Sequence, residues 1–461
     1  MRARLVFRAR VTSLPFASCV ITRLWLSIRR LPIPMTLTLR NYYADHYPYE
    51  QLVRLLTRNG DAIANCEFAI EGKTDTGDKI YKRYVSVRSP SELRSVISRF
   101  RGIAAFHFGA FYDNGVDKER IQAGESVATR RVLSFDVDLT DLEFLDLADA
   151  DGRVSAEKCD KAYPVSAAAA YILRNVLEKA FGFTELLIVY SGRRGVHVHV
   201  FDDKAMALND EGRGAVLDFV NCGINKADAR APTGVRLIME MYGLRKEVRR
   251  VFRDYIVGKL DLLENGAGRV AFVNRLGLSE YEDWEKYAPT LAPLAADVLT
   301  LETGADVWKH VEERIDSTNV EWMRERLDCV VLAYVWPRLD AAVTKDLKHL
   351  TKVPFSCHAG TGRVAVALGT ERKSLFGFKP ARQSPTLAAW DQPLMDAAVA
   401  RFHVAAAAAT TNADVDMEDT AGAQPRRAGN FKRKSSPLAT CEKAETSRNR
   451  NVAHAAMECE A

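Results

Sequence analysis

The stretch that decides the fold is RVLSFDVDLTD, residues 131–141. Its β-branched and aromatic residues predict a β-strand that ends in a turn. Successive side chains of a strand point to opposite faces, so Asp136 and Asp138 share one face while Phe135 and Val137 share the other. Two carboxylates this close repel each other unless a cation lies between them, and their oxygens suit a divalent metal ion. The pattern alone is also consistent with two solvated aspartates on an exposed edge strand.

Length and composition are those of a globular protein. The chain has 461 residues, 47% hydrophobic, 27% charged and 9% aromatic, which predicts two or three domains with sizeable cores. The formal net charge is +5, but residues 1–34 hold seven arginines and no acidic residue, which leaves −2 for the remainder. A nucleic-acid partner would therefore bind a local basic patch. The longest nearly apolar run, residues 11–28, is interrupted by Arg23, so no membrane partner is predicted.

The cysteines and the two ends of the chain bear on its location. Eight cysteines are scattered without a C-x-x-C pair, which indicates reduced thiols in an intracellular protein. Residues 1–34 form an Arg-rich extension that resembles a mitochondrial presequence, although Met35 is an equally plausible start. Residues 403–461 are predicted to be a disordered tail, because they contain few large apolar residues. The split basic cluster Arg426-Arg427 and Lys432–Lys434 in this tail resembles a nuclear import signal.

The rest of the chain is predicted to alternate strands and helices before a long helical region. Residues 205–330 have a mostly helical pattern, with Trp284, Trp308 and Trp322 as expected anchors. The turn signals predict strands at Cys66–Ile70, Lys79–Val87, Phe106–Tyr112, Leu186–Tyr190, Val196–Val200 and Val364–Leu368. The capping signals predict helices at Asn41–Arg58, Ser89–Phe100 (opened by Ser91), Pro164–Ala180 and from Asp340 to about Leu350.

A second segment whose side chains could bind a ligand is the turn between two predicted strands, residues 191–195. Its glycines permit a sharp bend and a close approach to a ligand. The forks of Arg193 and Arg194 match phosphate oxygens, and Ser191 adds a hydroxyl donor. His197 on the following strand can point to the same pocket. His199 shares that face, and a packed, hydrogen-bonded role for one of the two histidines is expected over a metal pair.

Four short segments, taken together, resemble the catalytic small subunit of archaeal and eukaryotic DNA primases. In chain order these are SFDVDLTD (134–141), YSGRRGVH (190–197), PRLD (337–340) and HLTKVPFSCHAGTGR (349–363). The resemblance covers roughly residues 38–370 and includes Tyr42-Tyr43, Pro48-Tyr49 and the strand Tyr81–Tyr84. It implies an α/β fold of mostly antiparallel sheets with flanking helices, the archaeo-eukaryotic primase fold. The catalytic core would comprise residues 35–204 and 331–402, with residues 205–330 as an inserted helical subdomain.

The resemblance also implies a role for each matching residue. The implied enzyme makes short RNA primers on single-stranded DNA from ribonucleoside triphosphates, with Mg²⁺ or Mn²⁺ as cofactor. Asp136, Asp138 and Asp340 would be the catalytic metal ligands. The nucleotide would be bound by Ser191, Arg193, Arg194, His197, Lys352, His358 and Arg83, and less securely by Glu67.

The resemblance also implies partner proteins, and the sequence departs from the family pattern in one feature. Family members work with a large subunit that carries an iron–sulfur cluster, and in eukaryotes with the DNA polymerase alpha complex. The family's structural zinc site is not expected here, because residues 142–165 contain only Cys159 and no histidine, whereas such a site needs four ligands. The implied location is the nucleus. The alternatives are a mitochondrial primase-polymerase of the same superfamily, or a non-catalytic nucleic-acid-binding scaffold.

Overall fold

The computed structural model describes residues 35–73, 76–100, 102–142, 144–221, 239–240, 243–277, 285, 289, 291–336 and 339–408. The predictions for residues 1–34, for Trp284 and for the tail beyond residue 408 lie outside these described residues. So does most of the connection between 222 and 242.

Two antiparallel sheets form the framework. The first has the strand order β2-β1-β3-β4, with β8 paired to β3, and the second has the order β5-β7-β6-β9. The predicted α/β fold with mostly antiparallel sheets is confirmed. The strands are β1 (Cys66–Lys73), β2 (Lys79–Val85), β3 (Gly102–Tyr112), β4 (Ala128–Arg130), β5 (Leu133–Asp138), β6 (Leu186–Tyr190), β7 (Gly195–Val200), β8 (Thr351–Lys352) and β9 (Ala367–Leu368).

Helices flank the sheets, and in the described part of the chain between β7 and β8 helices occur without any strand. Leu139–Asp141 forms a short 3-10 turn after β5, and two π-helical turns lie at Tyr42–His46 and Phe252–Val257. The α-helices are α1 (Leu39–Asn41), α2 (Tyr49–Leu56), α3 (Pro90–Ser98), α4 (Lys118–Gln122), α5 (Ala156–Phe181), α6 (Asp203–Met206), α7 (Asp210–Asn221), α8 (Arg245–Val251), α9 (Gly266–Leu276), α10 (Leu294–Thr300), α11 (Gly304–Ser317), α12 (Glu321–Val335), α13 (Ala341–Lys345), α14 (Arg372–Gly377), α15 (Pro380–Gln383) and α16 (Gln392–Ala408).

Helix boundaries differ from the sequence predictions where a capping residue was misjudged. Helix α5 begins at Ala156, because Ser155 caps it, and Pro164 lies inside the helix. The helix tolerates this proline because its long buried face packs against β7 and β5. Helix α3 is capped by Ser89 rather than by Ser91, since the Ser89 hydroxyl accepts a hydrogen bond from the Glu92 amide at 3.1 Å.

The buried core extends through the sheets and the helical region. Trp308 is buried in the helical region as predicted, whereas Trp322 is only half-buried. Phe252 and Phe272 stack with ring centroids 5.6 Å apart, and Phe252 also meets the Trp308 ring edge-on. None of the helices described here combines the length and the apolarity that a bilayer-spanning segment needs.

Candidate active site

Strand β5 presents its two aspartates on one face, as the alternation predicts. Phe135 and Val137 are buried in the core, while Asp136 and Asp138 are half-exposed. Asp136 lies opposite His197 of β7, and its Oδ1 atom is 3.6 Å from the His197 Nε2 atom. Burial lowers the pKa of His197, and the Asp136 charge opposes this shift only partly. The imidazole is therefore a neutral neighbour of the carboxylate at neutral pH.

The third aspartate reaches this face through a single β-bridge. Leu339 pairs with Val137 in an antiparallel bridge. In such a bridge the residue after one partner lies opposite the residue before the other, so Asp340 lies opposite Asp136. Asp340 also caps helix α13, because its Oδ1 atom accepts a hydrogen bond from the Ala342 amide at 2.9 Å. The cap fixes the direction of this carboxylate.

A fourth carboxylate, Asp141, lies close enough to the three aspartates for their charges to affect its pKa. Its pKa is raised by burial first, and then by the negative charges of Asp138, Asp136 and Asp340. Asp141 belongs to the SFDVDLTD segment, but no sequence pattern assigned it a role. Four acidic groups thus face one region at the end of β5.

The donor set fits a divalent cation. Carboxylate oxygens are the hard ligands that Mg²⁺ and Mn²⁺ prefer. Asp138 is partly engaged elsewhere: its Oδ1 atom accepts hydrogen bonds from the amide and hydroxyl of Thr140, and its Oδ2 atom lies 2.6 Å from Arg194. Coordination of a metal by both Asp136 and Asp138 would require Asp138 to give up its contact with Arg194 or with Thr140.

A more closely spaced group of acidic residues lies in the helical region, where a neighbouring arginine offsets their charge. Among the described residues, ligand atoms of Glu240, Glu321 and Glu325 lie within 4.8 Å of one another, a spacing that the three aspartates do not meet. Arg245 pairs with Glu240 at 3.0 Å and lies 3.9 Å from Glu321. The helical group is thus compensated by a guanidinium, whereas among the described pairs at β5 Arg194 contacts Asp138 and the neutral His197 lies next to Asp136.

The turn at residues 191–195 holds the second set of predicted residues. The Gly195 amide donates to the Ser191 hydroxyl at 3.1 Å, which closes the turn. Gly192 has a φ of +89°, a conformation that favours glycine. Gly195 is required for a different reason, because a Cβ atom there would collide with the Val137 carbonyl oxygen. Close contact between β5 and β7 brings the turn next to Asp138.

Gly195→Ala is expected to destabilise the protein by about 1–3 kcal/mol, because the added methyl group must push β7 away from β5. Activity should fall as well, since Asp138 lies opposite Gly195. Chemical denaturation and activity assays would measure both effects. Gly102→Ala is the matched control, because a Cβ atom at Gly102 has no neighbour within 4 Å. Equal stability of the two variants would contradict the close-approach argument.

The two arginines of the turn have different surroundings. The Arg193 guanidinium donates to the Val154 carbonyl oxygen at 3.1 Å, before helix α5. The Arg194 guanidinium pairs with Asp138 at 2.6 Å, and the Arg194 carbonyl oxygen accepts from the Leu139 amide. Arg194 therefore links the turn to the carboxylates, while Arg193 links it to the segment before helix α5.

Three predicted nucleotide-binding residues share one small cavity. Ser191, Lys352 and His358 all line a cavity of about 100 Å³. The His358 Nδ1 atom accepts a hydrogen bond from the Gly360 amide at 3.1 Å. Burial lowers the pKa of His358 to about 4, assisted by the positive charges of Lys352, Arg193 and Arg194. His358 therefore stands among cationic groups as a neutral imidazole.

Arg83 approaches from the first sheet and is held by a buried acid. Its guanidinium makes two hydrogen bonds with the fully buried Glu67 carboxylate, at 2.9 and 3.1 Å, and a third with the Lys348 carbonyl oxygen at 3.1 Å. Glu67 therefore orients Arg83. Among the described contacts, Arg83 does not touch the arginine turn. Burial lowers the pKa of His349, and the positive charges of Arg131 and Arg83 lower it further.

Two further histidines have distinct environments. His199 is buried and shares a hydrogen bond of 3.0 Å with Ser134, so it is the packed histidine that was expected. His107 was missed by the sequence reasoning, although a lone imidazole in the apolar strand β3 was a signal. It lies opposite Lys352, burial lowers its pKa to about 4, and its buried Nδ1 atom has no partner among the described residues.

Arg131 is a second residue that sequence reasoning missed. Its fully buried guanidinium donates to the carbonyl oxygens of Val343 and Asp346, at 2.9 and 3.1 Å, and to the Thr351 hydroxyl at 2.8 Å. These acceptors lie between Asp340 and Lys352 in sequence. One side chain at the start of β5 therefore fixes the segment that carries two predicted site residues.

Arg131→Met is expected to lower the free energy of unfolding by about 2–4 kcal/mol, because the buried Thr351 hydroxyl and two partly buried carbonyl oxygens lose their donor. It should also weaken the binding of a divalent cation at the three aspartates, because Asp340 would lose its fixed position. Urea denaturation and a Mg²⁺ titration of activity would measure these effects. Arg131→Lys, which keeps the charge and part of the bonding, should be intermediate. Wild-type metal dependence in a folded Arg131→Met variant would contradict the positioning role.

Comparison with known proteins defines the class of this fold and site. The two antiparallel sheets bring the aspartates next to the turn that carries Arg193 and Arg194, and the protein class with this fold and site is a nucleotidyltransferase. Residues 135–370 match the family model described as the DNA primase small subunit. This match covers more than half of the 461 residues, so the chain belongs to the DNA primase small subunit family, an enzyme family that synthesises primers.

Curated relatives support the same assignment. The chain is 27% identical over 366 residues to the DNA primase small subunit of Schizosaccharomyces pombe, covering 74% of this chain and 74% of that protein. It is 25% identical to the Saccharomyces cerevisiae DNA primase small subunit, over 73% of this chain and 81% of that protein. The archaeal small subunit PriS of Pyrococcus furiosus is 23% identical, over 74% of this chain and 90% of that protein.

Proposed function

We propose that this chain is a catalytic subunit that makes short RNA primers on single-stranded DNA from ribonucleoside triphosphates. The observation that carries the proposal is the placement of Asp136, Asp138 and Asp340 at one end of β5, next to the Ser191–Gly195 turn. Two carboxylate-rich metal sites facing a cationic turn suit transfer of a nucleotide, in which charge develops on phosphate oxygens.

In this mechanism the three aspartates would hold two divalent cations, Mg²⁺ or Mn²⁺. When bound, the cations lower the pKa of the primer 3′-hydroxyl and offset charge on the triphosphate. Asp340 is oriented by its cap and Asp136 by the sheet, so both are preorganised for this task. The bond from the 3′-oxygen to the α-phosphorus forms, the bond between the α-phosphorus and the bridging oxygen breaks, and pyrophosphate leaves. The hydroxyl proton passes to solvent.

The residues around the turn would bind the triphosphate. Arg193 and Arg194 would contact phosphate oxygens through their forks, with Ser191 as a hydroxyl donor. Lys352 and His358 would contact it from the other wall of the shared cavity. A neutral His358 suits this place, because it donates a hydrogen bond without adding a further charge to a cationic wall. His197 and Arg83 would complete the pocket, with Arg83 held by Glu67.

The test is template-directed primer synthesis on oligo-dT with ATP and Mg²⁺ or Mn²⁺, with and without a co-purified partner. Short RNA ladders are expected from the wild type and none from Asp136→Ala/Asp138→Ala. Failure of both proteins to make primers, with intact folding and the partner present, would favour a non-catalytic nucleic-acid-binding scaffold. Efficient use of deoxynucleotides by the wild type would favour the primase-polymerase alternative.

A separate large subunit would supply the iron–sulfur cluster, and the DNA polymerase alpha complex is the proposed wider assembly. Such a cluster is held by several Cys thiolates at characteristic spacings, and the eight cysteines of this chain are scattered. The described cysteines of this chain are buried, and burial raises the pKa of each thiol: Cys66, Cys159, Cys329 and Cys357. Co-purification with a large subunit that brings stoichiometric iron would support this arrangement.

Purified protein is expected to contain substoichiometric zinc, because residues 142–165 offer only Cys159, which is buried in helix α5. Four Cys or His ligands are needed for a structural zinc site. Elemental analysis after dialysis against a chelator would measure the content. One tightly held zinc per chain would overturn this interpretation of the loop.

A nuclear site of action is proposed from the eukaryotic relatives and the basic cluster near residues 426–434. The mitochondrial alternative rests on residues 1–34. Imaging of tagged protein that starts at Met1 or at Met35 would distinguish them. Nuclear signal from both forms would support the proposal, whereas mitochondrial signal that depends on residues 1–34 would support the alternative.

A further inference from the structure

Strand β2 lies at the open edge of the first sheet and serves two surfaces. On one side the Arg83 guanidinium turns to Glu67 and to the Lys348 carbonyl oxygen, four residues before Lys352. On the other side Lys82 lines a groove between β2 and helix α3, and Tyr84, whose ring lies 5.1 Å from the Arg83 guanidinium, borders both surfaces. Because β2 has one β-strand neighbour, no other described strand covers its outer edge.

The groove has the composition of a polyanion site. It encloses about 490 Å³, and its described lining includes the cations Lys73, Lys82 and Arg99 but no acidic residue. All three cations are exposed, and none of them takes part in an ion pair within the described part of the chain. These charges stand out because the chain after residue 34 carries a net charge of −2.

Aromatic rings lie among these cations. Tyr84 and Phe100 both line the groove. The Phe100 ring packs closely against the backbone at Gly72. A Cβ atom added at Gly72 would lie only 2.9 Å from this ring. Tyr84 is held by its neighbour, with the Arg83 guanidinium 5.1 Å from the ring centroid. Rings alternating with cations suit a ligand that has both phosphates and flat bases.

We propose that this groove binds the single-stranded polynucleotide on which the enzyme works, with phosphates at Lys73, Lys82 and Arg99 and bases against Tyr84 and Phe100. The inference rests on the proposed function, since it assigns the path of the nucleic acid next to that site. Template DNA and the RNA primer share the required chemistry. Lys82 of the groove and Arg83 are adjacent residues of β2, so the bound strand would lie next to Arg83.

The test is charge reversal in the full-length protein. Lys73→Glu/Lys82→Glu/Arg99→Glu would be compared with wild type and with Lys204→Glu/Lys309→Glu/Lys373→Glu, a matched set of exposed lysines elsewhere. Fluorescence anisotropy with labelled oligo-dT and oligo-U would measure affinity over a range of salt concentrations. The groove variant should bind about 10- to 100-fold more weakly at ~0.1 M salt, and its salt slope should be smaller by about 2, as for three lost phosphate contacts on a single strand.

The outcomes separate this inference from the proposed function. Weaker binding of both oligomers supports a site for the shared backbone, whereas loss for only one of them assigns the groove to template or to primer. Apparent KM for ATP should be unchanged in the groove variant, while that for template should rise. Wild-type affinity of the groove variant, or equal loss in the control variant, overturns the inference even if primers are made. Absence of primer synthesis by wild type, with polynucleotide binding lost in the groove variant, instead counts against the proposed function alone.

Discussion

Asp136→Asn is expected to reduce primer synthesis by at least about 10²–10³-fold, a loss typical of removing one group that stabilises transition-state charge. The substitution keeps the shape of the side chain but removes one negative charge from the metal ligands. Folding should be unaffected or improved, because Asp136 contributes to the repulsion that raises the pKa of Asp141. Steady-state primer synthesis and thermal unfolding without metal would measure the two effects.

Metal binding gives an independent measurement for this variant. A ligand that binds only the folded state raises the unfolding temperature. Added Mg²⁺ or Mn²⁺ should therefore stabilise the wild type more than Asp136→Asn. Asp45→Asn is the matched control, because Asp45 is 62% exposed and pairs only with the surface residue Arg94 among the described ion pairs. Full activity of Asp136→Asn would exclude Asp136 as an essential metal ligand.

Arg193→Ala is expected to raise the apparent KM for ATP about 10- to 100-fold, since a charge-assisted contact to phosphate contributes about 1.5–3 kcal/mol. Its described contact to the Val154 carbonyl oxygen is a single bond, so the fold should tolerate the change. Arg193→Lys should be intermediate, because lysine keeps the charge but not the fork. Arg94→Ala, a 54% exposed arginine, is the control. An unchanged KM in primer extension would contradict the proposed triphosphate contact.

Arg194→Ala should behave differently from Arg193→Ala. Arg194 pairs with Asp138 at 2.6 Å, so its removal also leaves a carboxylate without its partner. We expect both a higher KM for ATP and an altered dependence on metal concentration, because Asp138 becomes more available to a cation. Identical metal dependence in the two arginine variants would contradict the link between the turn and the carboxylates.

Short-range patterns predicted most of the sheet structure. The alternation in residues 131–141 predicted which aspartates share a face, and strand β6 was predicted at its observed bounds. Helix starts were less predictable. Ser155 and Ser89 each cap a helix through a single hydrogen bond. Pro164 and Ser91, which lie later in the same helices, are sequence signals for a helix start of similar strength. Local preferences of this size are readily overridden by packing.

The sequence by itself determined the family, the antiparallel α/β class and the candidate residues, because each of these depends on side-chain type and on spacing along the chain. Only the tertiary structure decided which groups meet. The bridge between Val137 and Leu339 brings Asp340 opposite Asp136, and Arg131 fixes the segment that follows. Glu67 holds Arg83 from inside the first sheet, and His107 lies opposite Lys352. These contacts join residues far apart in the chain, and such contacts depend on strand register and buried hydrogen bonds, which no local pattern encodes.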